Sequence, residues 1–289
     1  MVSVIIPTFE RDEKLKRALL SVIQQTYSDI EILVINDSNS DIVVKRIIKQ
    51  INDVRIKYFK NERLKGANGA RNTGILKAKG EYIAFLDDDD EFLENKLKTQ
   101  IRCLKNKDES WGGVYSAYII ENNKRWKEFK KGNEGYLLKD ILLNNLSLCA
   151  GSNILIKAET IPIVGLWDEN LYRQQDIEFL VRFSNIFKIA FDNNVSAKIY
   201  GHNLPDYFKT FEEREKFLNK IDTYLNILSR QDKKKFLSDH FRRQVTYLVR
   251  QKEFKKAFKF FNRAMKYRLF SIRKDFKIIS LTLKTLLKK

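Results

Sequence analysis

An apolar run that ends in four consecutive aspartates constrains the fold of this chain more than any other feature. Residues 82–86 read YIAFL, which has the length and composition of a buried strand, and Asp87 to Asp90 follow directly. Like charges at the edge of a sheet cost stability unless a counter-charge is present. Their oxygen atoms suit Mg²⁺ or Mn²⁺. The alternative is an acidic turn that caps the next helix through Asp90 or Glu91.

Strands and helices alternate before that run. Apolar runs predict strands over 2–6, 30–35 and 54–59, and helical spacing predicts helices over 11–25, 41–51 and 70–79. This order indicates βαβ units and a mainly parallel sheet, which binds ligands beyond the carboxyl ends of its strands. Polar residues end three of the four strands, so we expect those ends to meet in one crevice. Fingerprints of a simple dehydrogenase or a P-loop NTPase are missing.

The second half of the chain changes in character. Strands are predicted over 114–120 and 154–156, and a hairpin or loop over 121–135. From about residue 206 the pattern is helical and basic, so we expect an α/β domain over 1–205 and a helical region over 206–289. Glu253 and Asp275 are the only acids after Phe241.

The net charge and the cysteine content limit the possible binding partners and the cellular compartment. The net charge of +18 over 289 residues calls for an anionic partner, such as nucleic acid, a membrane surface or an anionic substrate. Cys103 and Cys149 give neither a disulfide framework nor a metal site, which favours the cytoplasm. The N-terminus is typical of a first strand and not of a signal peptide, and no stretch predicts a transmembrane helix.

The basic C-terminal helices leave two alternatives open. Phenylalanine and leucine recur at helical spacing among the lysines and arginines, as in helices that lie on an anionic membrane surface. The same pattern suits helices that pack on the first domain or form a homo-oligomer. Specific nucleic-acid binding is not expected, because four aspartates at the centre of the predicted crevice would repel phosphates in the absence of a metal.

Four motifs, in this order, resemble family 2 glycosyltransferases of the bacterial surface-polysaccharide type. They read VSVIIPTFER, IEILVINDSNSD, GANGARNTGILKAKGEYIAFLDDDDEF and GLWDENLYRQQDIEFLVRF, and together they span roughly residues 1–200. The resemblance implies a GT-A fold with a nucleotide-sugar-binding half over 1–92 and an acceptor-side half over 93–205. It also implies a metal-dependent inverting transferase that moves a hexosyl or N-acetylhexosaminyl group from a UDP-sugar to a glycan or lipid-linked acceptor.

The resemblance also assigns roles to the residues that match its motifs. The implied nucleotide-sugar contacts are Pro7, Thr8, Phe9, Glu10, Asp37, Arg71, Asp87 and Asp88. Asp89 would bind Mn²⁺ or Mg²⁺ with His202 as a further ligand, and Asp176 would act as the catalytic base. For Thr8 and Asp37 the alternative is turn chemistry, for Asp176 a helix cap, and for His202 plain polar surface.

Two departures from the family pattern keep rival functions open. The first motif usually ends in Asn-Arg and here reads Glu10-Arg11, and the usual acidic pair is Gln175-Asp176. A sugar nucleotidyltransferase shares the layout, but it would need a glycine-rich loop after the first strand. Because only one carboxylate is present at Asp176, a non-catalytic scaffold is another alternative. The high positive net charge keeps open a third, a non-catalytic basic protein that binds nucleic acid or a membrane.

Overall fold

A computed structural model describes residues 1–122, 125–146, 148–200, 207–267 and 280, without the side chains of Asn122 and 207–211. The chain divides into two units, Met1–Leu204 and Pro205–Lys289. The boundary that we predicted after residue 205 stays a prediction. Cys103 and Cys149 are free thiols.

The first unit is built on one mixed β-sheet. Its strands are β1 (Val2–Thr8), β2 (Ile30–Asn36), β3 (Ile56–Lys60), β4 (Tyr82–Phe85), β5 (Glu91–Phe92), β6 (Trp111–Asn122), β7 (Arg125–Phe129), β8 (Ile154–Lys157) and β9 (Lys188–Tyr200). The strand order is β3-β2-β1-β4-β8-β6-β9-β5, with β7 paired to β6. Strands β1 to β4 are parallel to one another, as expected. Beyond β4 most pairs are antiparallel, so "mainly parallel" describes only the first half.

Helices cover both faces of this sheet. They are α1 (Asp12–Ile23), α2 (Ile42–Ile51), α3 (Ala67–Lys77), α4 (Lys96–Lys105), α5 (Leu138–Leu142), α6 (Ile161–Val164) and α7 (Gln175–Ile186), with a 3-10 helix over Ala158–Thr160. Side chains of a strand alternate between the faces, so Val4 and Ile6 pack towards α1 while Ile5 packs towards α3. The result is a three-layer sandwich with one apolar core on each side of the sheet.

Pro7 does not end β1, contrary to our expectation. The strand continues to Thr8, whose carbonyl oxygen accepts from Asp37 N at 2.9 Å, whereas the oxygen of Ile5 accepts from Leu86 N at 3.0 Å. Alternate residues of β1 therefore face β2 and β4, and Pro7 faces the β4 side. Pairing with β4 has already ended there at Ile5, so the donor that proline lacks is not needed.

The second unit is helical in its described part. It contains α8 (Tyr207–Ile221), α9 (Arg230–Arg250) and α10 (Phe254–Lys266), with a 3-10 helix over Asp222–Ile227. Phe260 of α10 lies 6.2 Å from Phe241 of α9 between ring centroids, and the Arg263 guanidinium lies 4.2 Å above the Phe241 ring. One apolar face of α10 is therefore covered by α9. No helix in the described part of the chain is long and apolar enough to cross a bilayer.

Candidate active site

The carboxyl ends of β1, β2 and β4 meet, as their polar residues predicted. Thr8 at the end of β1 donates its hydroxyl to Asp88 Oδ2 at 2.8 Å, and both residues are buried. Phe9 N lies 3.4 Å from the same oxygen. The backbone N–H of Asp37, just after β2, donates to Thr8 O at 2.9 Å. These bonds bring three of the predicted nucleotide contacts into one crevice beside the aspartate cluster.

The Asp37 carboxylate organises the loop that leads into α3. Asn61 Nδ2 donates to its Oδ1 at 2.6 Å, and the backbone N–H of Gly66 donates to its Oδ2 at 2.8 Å. Gly66 has φ 130°, a conformation that side chains disfavour. Each oxygen of Asp37 accepts one of these bonds and keeps capacity for another. The structure thus contains the turn chemistry that was the alternative reading, and contact with a base stays a prediction.

Helix α3 fixes both the aspartate cluster and the loop before α7. Asn72 exchanges two bonds of 2.9 Å with the backbone of Trp167, and Asn68 donates to Asp168 O and Leu171 O at 2.7 and 2.9 Å. Arg71 is buried between these amides and lies 4.8 Å from the Trp167 ring centroid. The motif GANGARN therefore connects α3 to the loop before α7.

Arg71 also pairs with Asp87, the first aspartate of the cluster. Arg71 Nη2 lies 2.5 Å from Asp87 Oδ1, and the Asp87 side chain keeps 35% of its surface exposed. Gly151 packs against the same carboxylate so closely that a Cβ there would lie 2.4 Å from Asp87 Oδ2. Asp87 is thus fixed on two sides and open on a third, as a residue that holds a ligand should be.

Asp88 and Asp89 are almost fully buried and share a cation. Arg11 Nη1 lies 2.9 Å from Asp88 Oδ1 and 2.5 Å from Asp89 Oδ2. Burial raises the pKa of Asp88, although Arg11 and the Thr8 hydroxyl oppose the change. Burial alone would lower the pKa of Arg11, but the charges of Asp88 and Asp89 outweigh it and raise that pKa. The positive charge of Arg11 therefore holds the two carboxylates together, a role that was not predicted from the sequence.

Asp90 points away from this cation into a hydrogen-bonded pocket. Ser152 donates its hydroxyl to Asp90 Oδ2 at 2.5 Å and accepts from Asp87 N at 3.1 Å, while Tyr200 N donates to Asp90 Oδ1 at 2.9 Å. Burial and the charge of Asp87 raise the pKa of Asp90 to about 8, against the effect of these two donors. Asp90 therefore orients the cluster and does not cap a helix.

Asp176 lies in the first turn of α7, and the side chain of Glu178 has a separate role. Burial raises the pKa of Asp176; the backbone amide of Ile177 and the charge of Arg71 lower it, and Asp87 raises it further. The place of Asp176 in the crevice and its role as the base stay predictions. Glu178 is buried and accepts from Arg182 at 2.6 and 2.9 Å, so this pair has a structural role.

The remaining predicted contacts lie at the end of β1. Pro7 is buried within the strand, whereas Phe9 is 44% exposed, with Lys65 Nζ 5.1 Å from its ring centroid. Glu10 has φ 52° and accepts from the Ser38 hydroxyl at 2.9 Å. The strand thus presents the aromatic ring of Phe9 outward, while Pro7 can contribute only through its backbone.

Of the two predicted metal ligands, the structure describes Asp89. His202 lies outside the described residues. Among those that the structure describes, no three His, Cys, Asp or Glu side chains form a metal-binding group. The donors present are carboxylate oxygens, which suit a hard divalent cation, and Asp89 already holds a positive group in Arg11. The donor chemistry therefore suits a hard divalent cation, and the binding of one stays a prediction.

Trp167 and Trp126, two of the tryptophans of the first unit, differ sharply in exposure. Trp167 is 2% exposed and stacks on Phe179 at 4.6 Å between ring centroids, so it is a core residue. Trp126 on β7 is 47% exposed and meets Tyr200 edge-on at 5.4 Å. Only Trp126 remains open to a ligand.

Sequence reasoning missed Arg11, Gly151 and Ser152. Arg11 was noted only as part of a motif, and its charge next to a strand end facing four aspartates was the available signal. Gly151 and Ser152 sit about sixty residues beyond the cluster that they contact, and no local pattern links the two segments.

Comparison with known proteins identifies relatives of this chain. Residues 3–161 match the model of the family described as Glycosyl transferase family 2. An uncharacterized glycosyltransferase of Rickettsia typhi is 31% identical over 83% of this chain and 78% of its own. The UDP-Glc:alpha-D-GlcNAc-diphosphoundecaprenol beta-1,3-glucosyltransferase of Escherichia coli is 40% identical over 43% of this chain and 47% of its own.

A solved structure shares the fold. S. aureus TarS 1-349 in complex with UDP has a TM-score of 0.65 and 16% identity, and covers 100% of this chain and 92% of its own. The match supports the GT-A architecture of a central sheet with flanking helices. Because the family model matches more than half of the length of this chain, the chain belongs to the family 2 glycosyltransferases.

Proposed function

We propose that this glycosyltransferase is a metal-dependent inverting enzyme that moves a sugar from a UDP-sugar to a hydroxyl of a glycan or lipid-linked acceptor. The proposal rests on two contacts at the carboxyl ends of β1 and β4. Thr8 bonds Asp88, and Arg71 bonds Asp87. Ligands bind at that edge in folds of this kind. The UDP complex of TarS and the UDP-Glc donor named for the Escherichia coli relative support the nucleotide.

Donor binding would use the two ends of the crevice. Thr8, the exposed ring of Phe9 and Asp37 would contact the uracil nucleoside, with Pro7 and Glu10 shaping that wall. Asp87, held by Arg71, would bind the ribose, and the Arg71 guanidinium would face the diphosphate, for which its planar fork is suited. Asp88 fixes Thr8 and so couples the base side of the pocket to the aspartate cluster.

Asp89 would hold Mn²⁺ or Mg²⁺, with His202 completing the ligands from the protein. When bound, the ion would neutralise the charge that builds on the leaving nucleoside diphosphate. Asp90, Ser152 and the backbone of Tyr200 keep the cluster in position.

Asp176 would be the base. The acceptor oxygen attacks the anomeric carbon from the face opposite the phosphate, the bond from that carbon to the phosphate oxygen breaks, and the hydroxyl proton passes to the Asp176 carboxylate. Burial keeps the pKa of Asp176 raised, which makes the carboxylate a better proton acceptor than an exposed aspartate. Electrostatic coupling of Asp176 to Arg71 and Asp87 supports its place beside the donor.

A lipid-linked acceptor in surface polysaccharide biosynthesis is the acceptor class that we favour. The Escherichia coli relative is named for a sugar on diphosphoundecaprenol. An enzyme with such a substrate would work from the cytoplasmic side, bound peripherally to the inner face of the membrane. The basic C-terminal helices would supply attraction to anionic lipid, while α9 already covers part of the apolar face of α10. Membrane binding and homo-oligomerisation stay predictions.

Calorimetric titration tests the donor and the metal together. UDP, GDP, CMP and ADP would be titrated with and without Mn²⁺ into the wild type, into Asp89→Ala, and into Glu109→Ala as an exposed carboxylate control. We expect binding that is selective for UDP, requires Mn²⁺, and is lost only in Asp89→Ala. Selective binding of another nucleotide would replace the donor, and failure of all four to bind would overturn the proposal.

A further inference from the structure

One guanidinium nitrogen bridges the two buried carboxylates of the aspartate cluster. Arg11 Nη1 contacts Asp88 Oδ1 at 2.9 Å and Asp89 Oδ2 at 2.5 Å. The carboxylate side chains are 6% and 1% exposed, whereas the Arg11 side chain is 45% exposed. A buried charge pair of like sign needs a counter-charge, and here the counter-charge is on a residue that reaches in from the surface.

Two more cations follow on the same face of α1. Lys14 Nζ lies 3.6 Å from Asp89 Oδ2, the oxygen that Arg11 already contacts. Arg17 Nη2 donates to the backbone oxygen of Asp89 at 2.8 Å, and its Nε lies 3.1 Å from Glu91 Oε1. Residues three apart share one face of a helix, so α1 presents a row of positive charge to the cluster. Both Arg11 and Lys14 lie within 4 Å of the Asp89 carboxylate.

We propose that Arg11 is a tethered counter-cation that leaves the Asp88–Asp89 pair when a divalent metal binds with the nucleotide donor. The inference rests on the proposed metal-dependent function and deepens it. Asp89 Oδ2 cannot keep a 2.5 Å bond to a guanidinium and also ligate a metal ion without placing two positive groups close together. One of the cations has to move, and Arg11 is exposed and precedes the first residue of α1.

The donor itself provides the place for the displaced charge. A nucleoside diphosphate brings two phosphates, and a guanidinium binds phosphate oxygens through paired hydrogen bonds. Metal binding without nucleotide would then be weak, because Arg11 must give up its carboxylates for water. Metal binding with nucleotide would be strong, because both cations find anionic partners. Arg11 would in this way couple the two binding events.

The test is the affinity of the full chain for Mn²⁺ alone, measured from the electron paramagnetic resonance signal of the free ion. Removal of the competing charge in Arg11→Gln should tighten Mn²⁺ binding by about tenfold in the absence of nucleotide. Lys14→Gln, which removes the more distant cation, should tighten it by roughly threefold. Arg17→Gln is the matched control: it deletes an arginine charge close to the same cluster, but Arg17 contacts the backbone oxygen of Asp89 and not its carboxylate.

Repeating the titration with UDP present measures the coupling. In the wild type, UDP should tighten Mn²⁺ binding strongly, and in Arg11→Gln this enhancement should shrink by about tenfold, since linkage is reciprocal. Unchanged or weaker Mn²⁺ affinity in Arg11→Gln, or an equal effect of Arg17→Gln, would overturn the counter-cation role even if UDP and Mn²⁺ still bind. Absence of Mn²⁺ binding to every folded variant, with and without UDP, would overturn both proposals. If Arg11→Gln does not fold, Lys14→Gln decides the question.

Discussion

Arg71 and Asp87 form an ion pair that joins α3 to the end of β4, with Nη2 2.5 Å from Oδ1. Their exposure is unequal: the Arg71 side chain is 6% exposed, and that of Asp87 is 35% exposed. The arginine is further fixed by the Trp167 ring at 4.8 Å. The guanidinium is therefore held rigidly by its surroundings, and the carboxylate is the more exposed of the two groups.

Replacing Arg71 should weaken donor binding. Arg71→Met removes the charge, and a charged hydrogen bond contributes about 1.5–3 kcal/mol, so we expect UDP affinity in Mn²⁺ to fall by about 10- to 100-fold. Arg71→Lys should recover only part of the loss, since one ammonium cannot reproduce the guanidinium fork. Titration calorimetry measures both. Equal UDP affinity in Arg71→Met and wild type would remove Arg71 from the donor site.

Adding a methyl group at Gly151 should displace Asp87. The new Cβ would lie 2.4 Å from Asp87 Oδ2, closer than such contacts allow. We expect Gly151→Ala to reduce UDP affinity by at least about tenfold, a loss that corresponds to about 1.4 kcal/mol. Ser152→Ala removes the hydroxyl that donates to the Asp90 carboxylate and accepts from the Asp87 backbone N–H, but it does not crowd the Asp87 carboxylate, so it should weaken UDP binding less. Calorimetry compares the two losses of UDP affinity. A larger loss in Ser152→Ala than in Gly151→Ala would contradict the packing argument.

Asp176 and Glu178, two residues apart on α7, should separate catalysis from stability. Asp176→Asn removes the proposed base, and we expect kcat to fall by about 10²- to 10⁴-fold with UDP affinity retained. Glu178→Gln removes the charge that pairs with the partly buried Arg182 and should lower the free energy of unfolding by about 1.5–3 kcal/mol. The folded enzyme should nevertheless keep most of its kcat. A larger loss of kcat in Glu178→Gln than in Asp176→Asn would exchange their roles.

The pH dependence of the rate gives a second reading of Asp176. A base must be ionised to accept the proton, so the rate falls when the pH drops below its pKa. Burial raises that pKa above the ordinary value of an aspartate. We therefore expect the acid limb of the kcat profile to lie above the range of an exposed carboxylate and to be absent from the residual activity of Asp176→Asn.

Local patterns predicted the first half of the fold well and the second half less so. Strands β1, β2 and β4 and their helices follow from apolar runs and helical spacing, and their parallel order follows from the alternation. The antiparallel pairs of β8 with β4 and β6 join segments far apart in sequence, and periodicity does not contain that information. The mixed character of the sheet therefore had to come from the structure.

In the candidate active site, too, local patterns predicted some features and not others. Thr8, Asp37 and Asp87 to Asp89 mark strand ends, so their meeting could be inferred. The partners that hold them could not: Arg11 reaches Asp88 across 77 residues, and Ser152 reaches Asp90 across 62. Those contacts depend on the packing of α1 and of the loop before β8, and no spacing rule encodes them.

Glu10 should be a site where one substitution stabilises the protein. Its φ of 52° lies in the left-handed region, which asparagine tolerates better than glutamate, and asparagine is the residue that the family pattern usually has there. We expect Glu10→Asn to raise the free energy of unfolding by up to about 1 kcal/mol. Glu10→Gln keeps the strain and an acceptor for Ser38, so it should leave stability unchanged. Urea unfolding distinguishes the two; equal midpoints would show that the backbone is not strained.

Lys96 should make the stability of the first unit depend on pH. Its side chain is fully buried, with Nζ 2.6 Å from Gln100 Oε1 and 4.2 Å from the Phe92 ring centroid, and burial lowers its pKa from 10.5 to about 7. Between those two values the unfolded chain binds a proton that the folded chain does not. Stability therefore rises with pH across this window, and below pH 7 the folded state carries the full cost of the buried charge.

The size of this effect can be measured against a methionine. A fall in pKa from 10.5 to about 7 corresponds to roughly 5 kcal/mol. We expect Lys96→Met to be more stable than the wild type at pH 6.5 and to lose several kcal/mol of that advantage by pH 10, in urea unfolding of the full chain. Lys98→Met removes an exposed lysine from the same helix and should show no such trend. A difference between Lys96→Met and wild type that stays constant from pH 6.5 to 10 would mean that Lys96 keeps its proton in the folded protein.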